Sequence, residues 1–349
     1  MNKFTKTSTA EEVCRALSAH IRDKTVIITG TSPGGLGAET ARAICREHPA
    51  LVILAGRNVS KLQQTQTLIA NETPDAKTAV LEIDLGAQQS VRKAAEQIND
   101  AHGKIDVLIN NAGIMATPFS LSPEGIESQF ATNHVGHFLF TNLIMQKLLA
   151  SDGQARVVNV SSSGHKRGPV RFEDYNFHNG AVYDKWKAYG QSKTANMLFS
   201  VALAEKLGHR GLRSYSLYPG RILTNIAQNI TVDEMKGFGW LDENGNMIQD
   251  EALKWKTLAT GPSTQIVAAF DPSIQGVCVE RFTSNVPSKH LEFAGANEFF
   301  FPLCTDYNGS YLDDCQVAND HAEAYALDKD GAERLWALSE KLVGETFRY

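Results

Sequence analysis

The sequence predicts an α/β fold, a doubly wound parallel sheet forming a single domain over residues 1–349. Three observations carry that expectation. Apolar, β-branched runs recur up to Leu217. Segments of about a dozen residues with helical period separate them, which implies right-handed crossovers and a parallel sheet covered on both faces. The first run also passes directly into a glycine-rich turn, and in such sheets ligands bind beyond the carboxyl ends of the strands.

Ser8, Thr9, Ala10 and Glu11 read as a capping box opening a short helix to about residue 21. Residues 25–29 (TVIIT) form a continuous apolar run, the mark of a strand buried on both sides. By the same reading 34–48 is a helix, 51–54 (LVIL) a second strand, 59–70 a helix, and 79–83 a third strand. A helix at 90–101 precedes a fourth strand at 105–109 (IDVLI), and 124–149 is a long helical stretch. A fifth strand at 156–160 (RVVNV), a helix at 187–207 and a sixth strand at 212–217 complete the series. No repeat or linker interrupts the chain before about residue 270.

Composition narrows the function. Of 349 residues, 42% are hydrophobic and 21% charged, enough for a sizeable core. A net charge of -5 without basic runs points away from nucleic acid and anionic membranes. No stretch reaches the roughly 20 apolar residues of a membrane span. The first ten residues lack the apolar core of a secretory signal, so a soluble, cytoplasmic protein acting on a small molecule is expected. A homo-oligomer is compatible with this composition. The five cysteines are scattered without a CxxC pair, which predicts neither a disulfide framework nor structural zinc.

The turn after the first strand carries Thr29, Gly30, Ser32, Gly34, Gly35, Leu36 and Gly37. Glycines there let the backbone approach a pyrophosphate, and the following helix offers unpaired amides at the positive end of its dipole. Gly30, Ser32, Gly35, Leu36 and Gly37 are therefore candidate cofactor residues. Beyond the second strand, where a carboxylate would hold the ribose 2′-hydroxyl of NAD, the chain has Gly56, Arg57 and Asn58. Arg57, with Lys61 one turn on, suits a 2′-phosphate, so NADP is favoured over NAD. The other reading of Arg57 is a solvated loop arginine.

Further motifs follow the later strands in order: Asn110-Asn111-Ala112-Gly113, Ser161-Ser162-Ser163, Tyr189-Gly190-Gln191-Ser192-Lys193, and Pro219-Gly220-Arg221-Ile222-Leu223-Thr224. Hydride transfer to a carbonyl builds charge on its oxygen and needs a proton donor within hydrogen-bond reach. Tyrosine has an ordinary pKa near ~10, so it needs help at neutral pH. A lysine four residues on lies one helical turn away, and its charge lowers the phenol pKa. Tyr189 and Lys193 fit those roles. Tyr183 and Lys187 repeat the spacing, but their surroundings, Asp184, Lys185 and Trp186, read as an exposed loop.

This ordered set resembles the short-chain dehydrogenase/reductase family, with a Rossmann-type core over about 20–270. The long gap from Ser162 to Tyr189 resembles its retinol dehydrogenase-like branch. The resemblance implies an NADP(H)-dependent oxidoreductase acting on a carbonyl or alcohol carbon. It implies that Ser162, with Ser161 and Ser163 as alternatives, binds the substrate oxygen. Lys193 would also hold the nicotinamide ribose, and Asn133 would support a water-linked proton relay. Asp84 would lie beside the adenine, Thr224 near the nicotinamide amide, and Asn110, Pro219 and Gly220 along the cofactor. Two departures stand out: the glycine turn is one residue longer than usual, and Pro33 occupies a region where many NADP-preferring members carry a basic residue. A catalytically silent, NADP(H)-binding regulatory protein is the alternative reading.

Residues 225–260 stand where the family places its substrate lid. Ile226, Ile230, Met235, Phe238, Trp240 and Leu241 give it an apolar lining for a hydrophobic substrate, or else pack it onto the core. His134 and His137 read as surface or cleft-wall histidines without further metal ligands. Asp242 to Asn246 reads as a turn. The stretch 276–305 has no convincing period, and two readings stay open: a surface insertion, or a translated intron, since Phe299-Phe300-Phe301-Pro302-Leu303-Cys304 can be encoded by a pyrimidine tract.

Overall fold

The computed structural model describes residues 3–151, 153, 155–248, 255–275 and 307–349. Two short helices, α1 (Ala10–Ala16) and α2 (Ser18–Ile21), lead into β1 (Thr25–Thr29). Then follow α3 (Leu36–Cys45), β2 (Leu51–Gly56), α4 (Val59–Glu72), β3 (Thr78–Glu82), α5 (Gln88–Ala101) and β4 (Val107–Asn110). The next crossover contains α6 (Ser128–Phe130), a π turn at Ala131–Val135, α7 (Gly136–Leu143) and α8 (Met145–Leu149). After β5 (Arg156–Val160) come α9 (Lys185–Leu207), β6 (Arg213–Tyr218), α10 (Val232–Gly237) and α11 (Ser263–Phe270). The chain finishes with β7 (Tyr311–Asp313), β8 (Gln316–Val317) and α12 (Lys329–Val343).

One sheet runs β3-β2-β1-β4-β5-β6-β7-β8, parallel except for the antiparallel β8. The uninterrupted apolar strands follow from burial on both faces. Ile27, Ile53, Leu108 and Val157 point into a core shared with α5, α7, α9 and α12. Their neighbours Val26, Ile28, Val52, Ile109 and Val158 point into a second core with α1, α3 and α11. Strand order reverses between β1 and β4, which opens a crevice at their carboxyl ends.

Several elements differ from expectation. Thr9 and Glu12 form the capping box, each side chain bonding the other's backbone, one residue beyond the expected pair. Ser8 instead accepts from the Thr5 amide. The helical stretch 124–149 begins only at Ser128, passes through the π turn, where the Asn133 side chain reaches out to the backbone of Ile114, and is interrupted at Ile144. The last parallel strand is Tyr311–Asp313, paired with β6. Asp242 to Asn246 is a turn: the Asp242 carboxylate accepts the Asn246 amide at 2.8 Å. The stretch 276–305 lies outside the described residues, as does part of the proposed lid. No helix among the described residues is long and apolar enough to cross a membrane.

The C-terminal helix closes one side of the molecule. Trp336 of α12 packs edge-on against Phe138, with centroids 5.0 Å apart, and beside Phe199 at 6.2 Å. Ser339 meets buried His134 at 2.7 Å, and the Tyr349 hydroxyl donates to Asn142 Oδ1 at 2.7 Å.

Candidate active site

The glycine turn is shaped by close backbone approach. A methyl group on Gly30, whose φ is +76°, would lie 2.7 Å from Ala112 Cα. One on Gly37 would lie 2.6 Å from both the Gly30 carbonyl and the Asn111 side chain. Gly35 caps α3 with no side chain bonding the first amides of that helix, and Gly35 and Leu36 line the crevice. Thr29 ties the turn to the end of β4, its hydroxyl accepting the amides of Asn111 and Ala112 at 2.9 Å each.

A cavity of about 650 Å³ runs along the strand ends. Gly30, Ser32, Gly35 and Leu36 line one end, with exposed Arg57 and Lys61 at the mouth. Asn58 caps α4 by accepting the Lys61 amide at 3.0 Å, which sets Arg57 and Lys61 on either side of the helix start. Asp84 also lines this end, one carboxylate oxygen accepting the Gly86 amide at 3.0 Å. Ser162, Tyr189 and Lys193 line the other end with Pro219, Gly220 and Thr224. Three expected residues stand behind the wall. Gly37 packs under the turn; Asn110 is buried, its amide donating to Thr141 Oγ1 and Asn159 Oδ1; and Asn133 is wholly engaged by backbone and Ser192.

The three serines divide clearly. Ser162 pairs with the Tyr189 hydroxyl and accepts the Gly164 amide. Ser161 donates to the Lys193 carbonyl at 2.8 Å, whereas Ser163 bonds Tyr218. Tyr189 and Lys193 lie on the same buried face of α9. Lys193 Nζ donates to the Val160 carbonyl at 2.9 Å and lies 5.7 Å from the Tyr189 ring centroid.

Burial, not the lysine charge, governs this tyrosine. Removal from water pushes Tyr189 up to about 12, against the expected lowering, with its Ser162 hydrogen bond working in the opposite direction. The physical reason is position, since the ammonium group sits on a strand carbonyl rather than at the phenol oxygen. The same burial pushes Lys193 down to about 8. At neutral pH the site thus holds a protonated phenol beside an ammonium group.

Other expectations are corrected. Tyr183 is no exposed loop residue: its hydroxyl donates to Thr117 O at 2.9 Å and accepts from Gln129 Nε2 at 2.8 Å. His134 and His137 are fully buried, not on the surface, and burial pushes them down to about 3 and about 4. No group of three potential metal ligands occurs among the described residues. The apolar side chains between residues 226 and 240 divide into two sets. Ile230 and Met235 pack against Met115 and Ala116, while Ile226, Phe238 and Trp240 face the cavity. Tyr218, Arg167, Arg221 and Trp255 also line the catalytic end and were not expected. Tyr218 had a signal as the residue before Pro219 at the end of β6, and Arg221 as a member of the motif that follows it.

Comparison with known proteins agrees with this geometry. The family model for short chain dehydrogenase matches residues 24–235. Retinol dehydrogenase 12 of Mus musculus is 39% identical over 327 residues, covering 94% of this chain and 88% of the relative. The chloroplastic short-chain dehydrogenase TIC 32 B of Brassica napus is 34% identical over 346 residues, covering 96% and 93%. Among solved structures, an uncharacterized protein from Mycobacterium paratuberculosis superposes with a TM-score of 0.63 at 30% identity, over 95% of this chain and 98% of that one.

Proposed function

Because this chain belongs to the short-chain dehydrogenase/reductase family, in its retinol dehydrogenase-like branch, we propose that it is an NADP(H)-dependent oxidoreductase acting on a carbonyl or alcohol carbon of a hydrophobic small molecule. The observation that carries this reading is the joint placement of Tyr189, Ser162 and Lys193 at one end of a cavity whose far mouth holds Arg57 and Lys61. The residues fit the cofactor: the backbone at Gly30 and Gly37 leaves no room for side chains, and the start of α3 has no side-chain cap, which leaves its amides for an anion. Arg57 and Lys61 match a 2′-phosphate, and no described carboxylate lines that mouth except Asp84, which is engaged at Gly86. The aromatic lid residues favour an apolar substrate body. The described cysteines, Cys14, Cys45 and Cys315, are free thiols, which fits the reducing cytoplasm we assign.

When bound, the nicotinamide supplies the hydride. The protein's part is to hold and protonate the substrate oxygen. Ser162 and Tyr189 orient that oxygen by hydrogen bonds. As negative charge grows on it, Tyr189 releases its proton to the oxygen, a general-acid step worth about 10²–10⁴ in rate. The Lys193 ammonium stabilises the resulting phenolate electrostatically. In the oxidative direction the same groups act in reverse.

The first test is fluorescence titration with NADPH and NADH of the native protein and of Arg57→Ala. Losing a charge-assisted contact worth about 1.5–3 kcal/mol should weaken NADPH about ten- to hundredfold and leave NADH nearly unchanged. Equal weakening of both would remove the 2′-phosphate role from Arg57. Binding of neither would end the oxidoreductase reading for this chain, and with it the alternative of a silent NADP(H)-binding regulator.

A further inference from the structure

His137 is a buried titratable residue that the proposed chemistry does not use. Its ring spans two segments of the site. Nδ1 lies 2.9 Å from the Asn133 carbonyl, and Nε2 lies 2.9 Å from Thr29 Oγ1. The carbonyl can only accept, so Nδ1 carries the proton and neutral Nε2 is the acceptor. Thr29 Oγ1 already accepts from Asn111 N and Ala112 N, so its own proton goes to His137; its other candidate, the Ile109 carbonyl, is farther at 3.5 Å.

The chain of donors continues in one direction. Asn133 Nδ2 donates to Ser192 Oγ at 2.9 Å, and Ser192 Oγ donates to the Tyr189 carbonyl at 2.8 Å. Asn133 also holds both backbone groups of Ile114, beside the cavity wall. Thr29, His137, Asn133, Ser192 and Tyr189 therefore join the glycine turn to the acid–base helix, with Asn133 bridging through its own bonds from main-chain carbonyl to side-chain amide. It is buried throughout, where each hydrogen bond is strong and each unmet group is costly.

From this geometry we infer that His137 is a positioning residue that couples the cofactor turn to the backbone carrying Tyr189. The inference rests on the proposed reading of the cavity as a nicotinamide site. A displacement of Thr29 on cofactor binding is transmitted to the catalytic helix through one ring. A histidine that merely fills the core would keep the protein stable without linking the two segments.

Two readouts separate these roles in the full-length protein. The first, amide hydrogen exchange without cofactor, compares Thr29→Val in the native and His137→Phe backgrounds. Coupling predicts that Thr29→Val speeds exchange around Tyr189 to Lys193 at least threefold in the native background and adds nothing after His137→Phe. The same change in both backgrounds, or none in the native one, overturns the inference. If His137→Phe does not fold, His137→Leu replaces it, since leucine has neither a donor for the Asn133 carbonyl nor an acceptor for Thr29. The second readout is the NADPH dissociation constant of Thr29→Val, Ser192→Ala and the pair together. Their effects should be non-additive by threefold or more with His137 present and additive without it; additivity in both also overturns it. A native protein that binds no NADPH would defeat the proposed function, while the exchange experiment would still decide the coupling.

Discussion

Two tyrosine–lysine pairs with identical spacing stand at the start of α9, and only one faces the cavity. Tyr189 and Lys193 both lie inside the helix, one turn apart, on its buried face. Asp184 caps α9 by accepting the amides of Trp186 and Lys187, so Tyr183 precedes the helix and shares no helical face with Lys187. The Tyr183 hydroxyl is spent on Thr117 and Gln129, with Glu127 Oε1 3.2 Å away, and burial is the first cause that holds its proton still more firmly. Lys187 is exposed. A spacing motif thus has chemical meaning only where helix boundary and cavity agree with it.

The sharpest way to break this comparison is to remove each phenol hydroxyl. Tyr189→Phe should lower carbonyl reduction by about 10²–10⁴-fold, with NADPH affinity retained. Tyr183→Phe should leave the rate within about twofold, because it touches nothing at the site. Steady-state rates on a substrate found by a carbonyl screen decide this, and a dead Tyr183→Phe beside an active Tyr189→Phe would exchange their roles. The lysines come next. Lys193→Ala should cost about a hundredfold in kcat/KM, whereas Lys187→Ala should change neither rate nor affinity measurably.

The pH profile sharpens the same contrast. Lys193, depressed to about 8, is charged below that pH and loses its charge as pH rises through it. The kcat/KM for reduction should therefore fall above pH 8 by at most about tenfold per unit, while Tyr189, raised to about 12, keeps its proton across the range. That limb should vanish in Lys193→Ala. Its persistence there would assign the titration to another group. The smallest expected effect reverses the order of the pairs. Tyr183→Phe leaves Gln129 and the Thr117 carbonyl short of a partner and should cost about 1–3 kcal/mol in urea unfolding. Tyr189→Phe, whose hydroxyl bonds Ser162 alone among the described residues, should cost less than about 1 kcal/mol.

What was legible in the sequence follows one rule. The strands β1 to β6 and the motifs at their ends were readable because burial on both faces writes itself as an unbroken apolar run, and each motif sits where such a run stops. Ser162, Tyr189, Lys193, Arg57 and the glycine turn converge on one cavity for that reason. What escaped depends on partners distant in sequence. Nothing local marks the Asn133 side chain as bonded to Ile114, so the π turn looked like continuous helix. His134 finds Ser339 across 205 positions, and His137 finds Thr29 across 108, so both looked like cleft-wall residues. Tyr183 looks exposed because Asp184 beside it is: Asp184 caps α9 at the surface while the Tyr183 hydroxyl turns inward to Thr117 and Gln129. The Tyr189 pKa was misjudged because the direction of the Lys193 ammonium is set by the Val160 carbonyl, which no spacing reveals.

The closing helix α12 has a consequence for how the molecule comes into being. Every strand from β1 to β6, and every proposed catalytic residue, is synthesised before Trp336 and Ser339 exist. Until then Phe138 and Phe199 lack the indole that covers them, and His134 lacks its serine. A nascent chain halted after residue 320 would carry a complete set of active-site side chains on an uncovered aromatic flank, the kind of surface that recruits chaperones or aggregates. Vectorial synthesis therefore makes the site early and the seal late.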